Sequence, residues 1–140
     1  MPLELDSLER AVAALEAVLA KSDDGEFMRG LDEVAGNAIK SGVIQHFEFT
    51  YELCWKFMKR WLETNVSPTV ADGVTRRELF RLAAEQQLIV GVEEWMRHHE
   101  ARDQTAHTYD PAIAERVYEA THQFTRDAAR LLSALKSRND

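Results

Sequence analysis

The sequence predicts an all-α, up-and-down four-helix bundle, built from four to five helices, and three observations lead there. Apolar residues recur at spacings of three and four along most of the chain, the period of one helical face. Only three prolines and six glycines interrupt 140 residues, and the abundant Ala, Leu, Glu and Arg are good helix formers. The interruptions between periodic stretches are short, which joins successive helices as antiparallel neighbours. No sheet is expected. With 45% hydrophobic residues, a chain of this length builds one core that buries roughly 68–70% of its unfolded surface. Residues 1–140 therefore read as a single domain.

The first helix carries Leu5, Leu8, Val12, Leu15 and Leu19 on a narrow stripe, with Glu9, Arg10, Glu16 and Lys21 elsewhere. It is expected to stop over residues 22–25, where Asp24-Gly25 supplies a residue able to adopt positive φ. A second stripe, Phe27, Leu31, Val34 and Ala38, is followed by a stronger one through Ile44, Phe47, Tyr51, Cys54, Met58 and Trp61. The two are out of phase, because Ser41, Gln45 and Glu48 stand where the first would continue. A kink or helix boundary near Gly42 is the expected solution. Phe49, Leu53, Trp55 and Phe57 lie off the main stripe, so this helix needs partners on two sides.

Residues 65–73, with Pro68 and Asp72-Gly73, form the longest loop-like stretch. Thr75-Arg76-Arg77-Glu78 then has capping-box form, and Leu79, Leu82 and Ala83 face inward. After Gly91 one face runs Val92, Trp95, His99, Arg102, turning from apolar to polar, the first sign of a site. Asp110-Pro111 supplies an N-cap followed by proline at the first helical position. Ile113, Val117, Thr121, Phe124, Ala128, Leu131 and Leu135 make the last stripe. Two residues five apart on a helix point about 140° away from each other. Arg102 and His107 therefore share a face only if the helix ends between them and a tight turn folds His107 back.

A net charge of -7 argues against broad coating of RNA or DNA, so contact with nucleic acid would depend on a local group of arginines. The single cysteine, Cys54, rules out an internal disulfide. The first residues are neither basic nor apolar, which gives a cytoplasmic protein without a membrane segment as the expectation.

Three stretches then carry a resemblance. They are Ile44-Gln45-His46-Phe47-Glu48-Phe49-Thr50-Tyr51-Glu52-Leu53 with Trp55-Lys56, then Trp95, then Arg102-Asp103-Gln104-Thr105-Ala106-His107-Thr108-Tyr109-Asp110. The chain resembles, over nearly its whole length, the HEPN domains, in the HepT-like branch called nucleotidyltransferase substrate-binding proteins. That resemblance implies a homodimeric helical bundle paired with a cognate minimal nucleotidyltransferase as toxin and antitoxin. It implies a metal-independent ribonuclease with Arg102, Asp103 and His107 as site residues and RNA as substrate. It also implies that Tyr109 accepts AMP from the partner enzyme, which silences the toxin. Asp103 stands where related chains commonly carry asparagine, and its carboxylate lowers the positive field around Arg102. The alternative implied by the family name is a non-catalytic substrate-binding subunit of the nucleotidyltransferase. A third reading is a structural dimer with a degenerate site. The chain lacks the Gly-Ser and paired-aspartate signature of a nucleotidyltransferase, so nucleotide transfer belongs to the partner.

Other residues are read more plainly. His98 and His99 lie one turn before Arg102 and either could line the same cleft, with solvated side chains as the expectation. Glu119 and His122 form the sole Glu-x-x-His, whereas a di-iron bundle needs two, so neither metal nor cofactor is expected. The Phe47, Tyr51, Trp61 stripe is read as core or dimer interface, with Cys54 inert within it. Arg76, Arg77 and Arg81 are read as a solvated helix start.

Overall fold

The computed structural model describes residues 2–139, and among them every regular element is helical. The order is α1 (Asp6–Asp23), α2 (Gly25–Arg29), α3 (Glu33–Asn65), α4 (Arg76–Glu85), α5 (Val92–Gln104), a 3₁₀ turn (Thr105–His107) and α6 (Pro111–Ser137). The long helices α1, α3 and α6 pack pairwise, α5 lies against α3 and α6, and the short α4 bridges α3 and α5. This is the expected bundle, with a sixth helix gained because the stripe from Phe27 to Ala38 divides.

That division corrects two local expectations. Gly25 does not turn the chain with a positive φ; it begins α2, and Asp24 caps it by accepting the Phe27 amide at 3.1 Å. A second cap, Asp32, accepts the Ala35 amide at 2.8 Å and starts α3. The anticipated break near Gly42 is also absent, since α3 runs unbroken for 33 residues. The phase conflict disappears because the first stripe is not buried: Val34 is 79% exposed and Ala38 faces solvent. Burial on α3 begins at Val43 and continues through Ile44, Phe47, Tyr51, Cys54, Met58 and Trp61. With only one face to satisfy, the helix needs no kink, and a glycine in a helix interior costs only about 1 kcal/mol.

Other signals hold. Gly73 takes the left-handed φ of +67° in the loop before α4, and Thr75 accepts the Glu78 amide at 3.2 Å. The return half of the capping box is not made; the Glu78 carboxylate pairs with Arg81 instead. Asp110 accepts the Ala112 amide at 2.9 Å, with Pro111 opening α6 as expected.

The core centres on Phe124 of α6, fully buried among the rings of Phe47 at 4.9 Å, His98 at 5.2 Å and Trp95 at 5.8 Å. Most of these contacts are edge-on, the arrangement favoured by aromatic quadrupoles. The off-stripe residues of α3 meet different fates. Phe57 is buried, Trp55 is covered by Arg76, and Phe49 remains 57% exposed. No helix among the described residues is long and apolar enough to cross a membrane.

Candidate functional site

α5 ends at Gln104, between Arg102 and His107, and the 3₁₀ turn follows at once. Local bonds build this turn. Thr105 Oγ1 donates to the Arg102 carbonyl at 2.7 Å, Thr108 Oγ1 donates to the Thr105 carbonyl, and the Asp110 amide donates to the His107 carbonyl at 3.1 Å. Asp110 then caps α6, so the residues between the two helices are held at both ends.

Arg102 lies along α3. Its Nη1 donates to Thr105 Oγ1 at 2.9 Å and stands 3.8 Å from Glu48 Oε2, with the side chain 32% exposed. Its Nε is buried and has no hydrogen-bond partner among the described residues. A buried N–H left unpaired costs about 1–3 kcal/mol, so the guanidinium keeps an unused donor. His107 is exposed on the turn, and its ring lies edge-on to Tyr109 at 6.1 Å. Tyr109 itself is 83% exposed. The polar partners of Arg102 are thus Thr105 and Glu48, and His107 is not among them.

The adjacent histidines correct the solvated expectation. His98 is buried, 4% exposed, and its Nε2 lies 2.7 Å from Asp127 Oδ2, so it belongs to the α5–α6 core and does not line the cleft. Asp127 also accepts from Gln123 Nε2 at 3.0 Å, and Arg130 Nη1 stands 3.6 Å away. His99 faces α3: its Nδ1 is 2.8 Å from the Tyr51 hydroxyl, and its Nε2 is 3.7 Å from Asp103 Oδ2. The Asp103 side chain is 68% exposed. Arg76 departs from the solvated reading too, stacking 3.8 Å over the Trp55 ring and donating to the Tyr51 oxygen at 3.3 Å. Arg77 and Arg81 are exposed and paired with Glu93, and with Glu78 and Glu85.

Sequence reading missed Glu48, Tyr51, Arg76 and Asp127 as polar partners. A usable signal existed for Asp127, an acid three residues after Phe124 and four before Leu131 on the buried face of α6. For Glu48 and Tyr51 the signal was their spacing of three, which matches the spacing of His99 and Arg102 across the seam.

Burial holds His98 below the ordinary histidine range, and the bond and charge of Asp127 offset this only in part. Below an unfolded-state pKa of roughly 6.5, the unfolded chain binds a proton that folded His98 refuses. Its contribution to stability is therefore present above that pH and is lost as the pH falls. His122 behaves oppositely. Desolvation is the largest single influence and lowers its pKa. The Asp23 bond at 2.9 Å, the Glu119 carbonyl and both carboxylate charges together outweigh it, and the pKa is raised. Its contribution is present below the unfolded pKa and is lost as pH rises through the folded one. In an ¹⁵N NMR titration His98 is expected to titrate below, and His122 above, an ordinary exposed histidine. A His98 midpoint at the ordinary value would reject the buried pair.

Among the described residues, no group of three or more His, Cys, Asp or Glu is placed to hold a metal ion. Cys54 is fully buried and its thiol pKa is pushed up by burial, as its inert reading requires.

An all-α bundle with a polar cluster where one helix gives way to the next defines the class, a small all-helical domain. Residues 3–137 match the family model described as nucleotidyltransferase substrate binding protein like, and the chain belongs to that family. It is 31% identical over 138 residues to a Haemophilus influenzae protein called Probable ribonuclease HepT, covering 98% of this chain and 94% of that one. A solved Haemophilus influenzae structure, reported as the fold of a substrate binding domain of a nucleotidyltransferase, superposes with a TM-score of 0.91 at 28% identity. That match spans 95% of this chain and 99% of the other. A Thermus thermophilus protein shares the fold, with a TM-score of 0.72 at 23% identity over 91% of this chain and 98% of its own.

Proposed function

We propose that the protein is a metal-independent HEPN-type ribonuclease that acts as a homodimer and is governed by a cognate minimal nucleotidyltransferase. The observation that carries this reading is the end of α5. It leaves Arg102 half-buried with an unused N–H, while an imidazole, His107, stands exposed on the turn that follows. The likeness to a relative named as a ribonuclease supports it.

In the proposed reaction the RNA 2′-oxygen attacks the adjacent phosphorus and its proton passes to the His107 imidazole of one subunit. The 5′-oxygen leaves with a proton from His107 of the other, giving a 2′,3′-cyclic phosphate and a 5′-hydroxyl. Imidazole suits both tasks because it titrates near neutral pH. Arg102 stabilises the charge on the pentavalent phosphorane, and Asp103 moderates that positive field. One protomer presents a single His107, so acid and base require two.

Tyr109, 83% exposed and two residues from His107, is the proposed acceptor of AMP. The residue before it, Thr108, lines a groove of about 360 Å³ together with Lys40, Ser41, Glu115 and Tyr118 among others. An anionic adduct on Tyr109 would repel RNA phosphate and cover His107.

Purified protein in EDTA is expected to cleave RNA to cyclic-phosphate products; RNA that stays intact at every protein concentration would overturn the ribonuclease reading. Expression alone is expected to arrest bacterial growth from the cytoplasm, and co-expression of a cognate nucleotidyltransferase to relieve it. Incubation with that partner and ATP should add the mass of AMP at Tyr109, and an unchanged mass would reject the modification.

The second reading, a non-catalytic subunit that presents a substrate to the nucleotidyltransferase, is favoured by the likeness to a nucleotidyltransferase substrate binding fold. It predicts that the purified protein raises the partner enzyme's affinity for a nucleotide acceptor without cleaving RNA.

A further inference from the structure

One turn before Arg102, three side chains are hydrogen-bonded in series across the α3–α5 seam. Arg76 Nη1 donates to the Tyr51 oxygen at 3.3 Å, and that oxygen lies 2.8 Å from His99 Nδ1. A guanidinium only donates, so Tyr51 must accept from Arg76. Tyr51 is 1% exposed, and its one O–H needs an acceptor. His99 Nδ1 is the acceptor within reach among the described residues. Burial pushes the Tyr51 hydroxyl pKa well up, so it keeps the proton it donates.

The direction of the series fixes the imidazole. With Nδ1 accepting, neutral His99 carries its proton on Nε2. That N–H faces Asp103 Oδ2 at 3.7 Å, too far for a hydrogen bond. His99 and Arg102 are three residues apart on α5 and so share one helix face. Tyr51 and Glu48 meet them at matching positions on α3.

We propose that His99 is a second phosphate-binding donor beside Arg102, its Nε2–H aimed by the Arg76–Tyr51 pair, and that Asp103 competes with an RNA phosphate for it. The proposal rests on the reading of Arg102 as a phosphate-binding residue. His99 donates without transferring a proton, so it positions the phosphodiester and leaves acid–base chemistry to His107. A phosphate oxygen held by Nε2–H on one side and the guanidinium on the other is fixed at two points. Asp103, exposed and anionic, sits where it weakens that grip.

The test uses the full chain labelled with ¹⁵N-histidine and a 2′-O-methyl RNA oligonucleotide, which lacks the attacking hydroxyl. The free protein is expected to show His99 protonated at Nε2, and the oligonucleotide to shift that nitrogen. Tyr51→Phe should mix the two tautomers. His99→Leu should weaken oligonucleotide binding roughly tenfold, the scale of one hydrogen bond to a charged group. His99→Gln, whose amide keeps a donor, should restore most of it, and Asp103→Asn should strengthen binding. An Nδ1-protonated His99, unchanged affinity in His99→Leu, or no binding by the wild type would each overturn the proposal. The outcomes separate it from the ribonuclease reading. Binding that depends on His99 without RNA cleavage leaves this site standing and removes the ribonuclease, whereas cleavage by the wild type with His99-independent binding does the reverse.

Discussion

His107→Ala is expected to lower RNA cleavage by roughly 10²- to 10⁴-fold, the usual contribution of a positioned acid or base, with no loss of fold. The side chain is exposed on the 3₁₀ turn. What the turn uses is the His107 carbonyl, which accepts the Asp110 amide and survives in alanine. Thermal melting should therefore coincide with the wild type, assigning the loss to chemistry. The proposed two-subunit arrangement adds a sharper expectation. If His107 of one protomer is the base and His107 of its partner the acid, a mixed dimer with one alanine lacks one of the two in either orientation. Its rate should fall close to that of the double alanine dimer, and a half-active mixed dimer would reject the shared site. The wild-type pH–rate profile should be bell-shaped, since one imidazole must be neutral and the other protonated at once.

The features legible in the sequence were those encoded locally. The 3.6-residue period placed the buried faces of α1, α6 and the second part of α3. Thr75 and Asp110 announced two helix starts through side chains that reach amides two or three residues away. The angular argument about Arg102 and His107 placed a helix end on the premise that the two share a face, and Asp110-Pro111 marked the next start. The misreadings arose where the deciding partner lies far along the chain. His98 looked solvated beside His99 because its carboxylate partner, Asp127, is 29 residues away on another helix. Arg76 looked like a solvated helix start because Trp55 and Tyr51 reach it only once α3 and α4 pack. Gly42 suggested a break because an apolar pattern was assumed to be buried. Val34 shows that a weak stripe at the start of a long helix can stay in solvent.

The largest effect on stability is expected from Phe124→Ala, at roughly 3–5 kcal/mol, the range for removing a fully buried phenylalanine. The position justifies that range, because the ring packs against two other helices at once. Phe47 and Tyr51 approach it from α3 at 4.9 and 6.3 Å, and Trp95 and His98 from α5 at 5.8 and 5.2 Å. These neighbours are large and buried, and each is fixed on a helix, so the surroundings cannot collapse into the space left by the ring. A domain stable by about 5–15 kcal/mol would lose a large part of its margin. Urea unfolding should show the midpoint moving down with little change in slope, and a loss below about 1 kcal/mol would reject Phe124 as the centre of the core. The same ring lies beside Tyr51, which bonds His99, and beside His98, which bonds Asp127. Phe124→Leu, which fills part of the space, should therefore remain folded yet let water nearer His98, moving its titration up toward the ordinary histidine value. Stability and site geometry depend on one ring, because the helix that carries His98, His99 and Arg102 is packed against α6 through it.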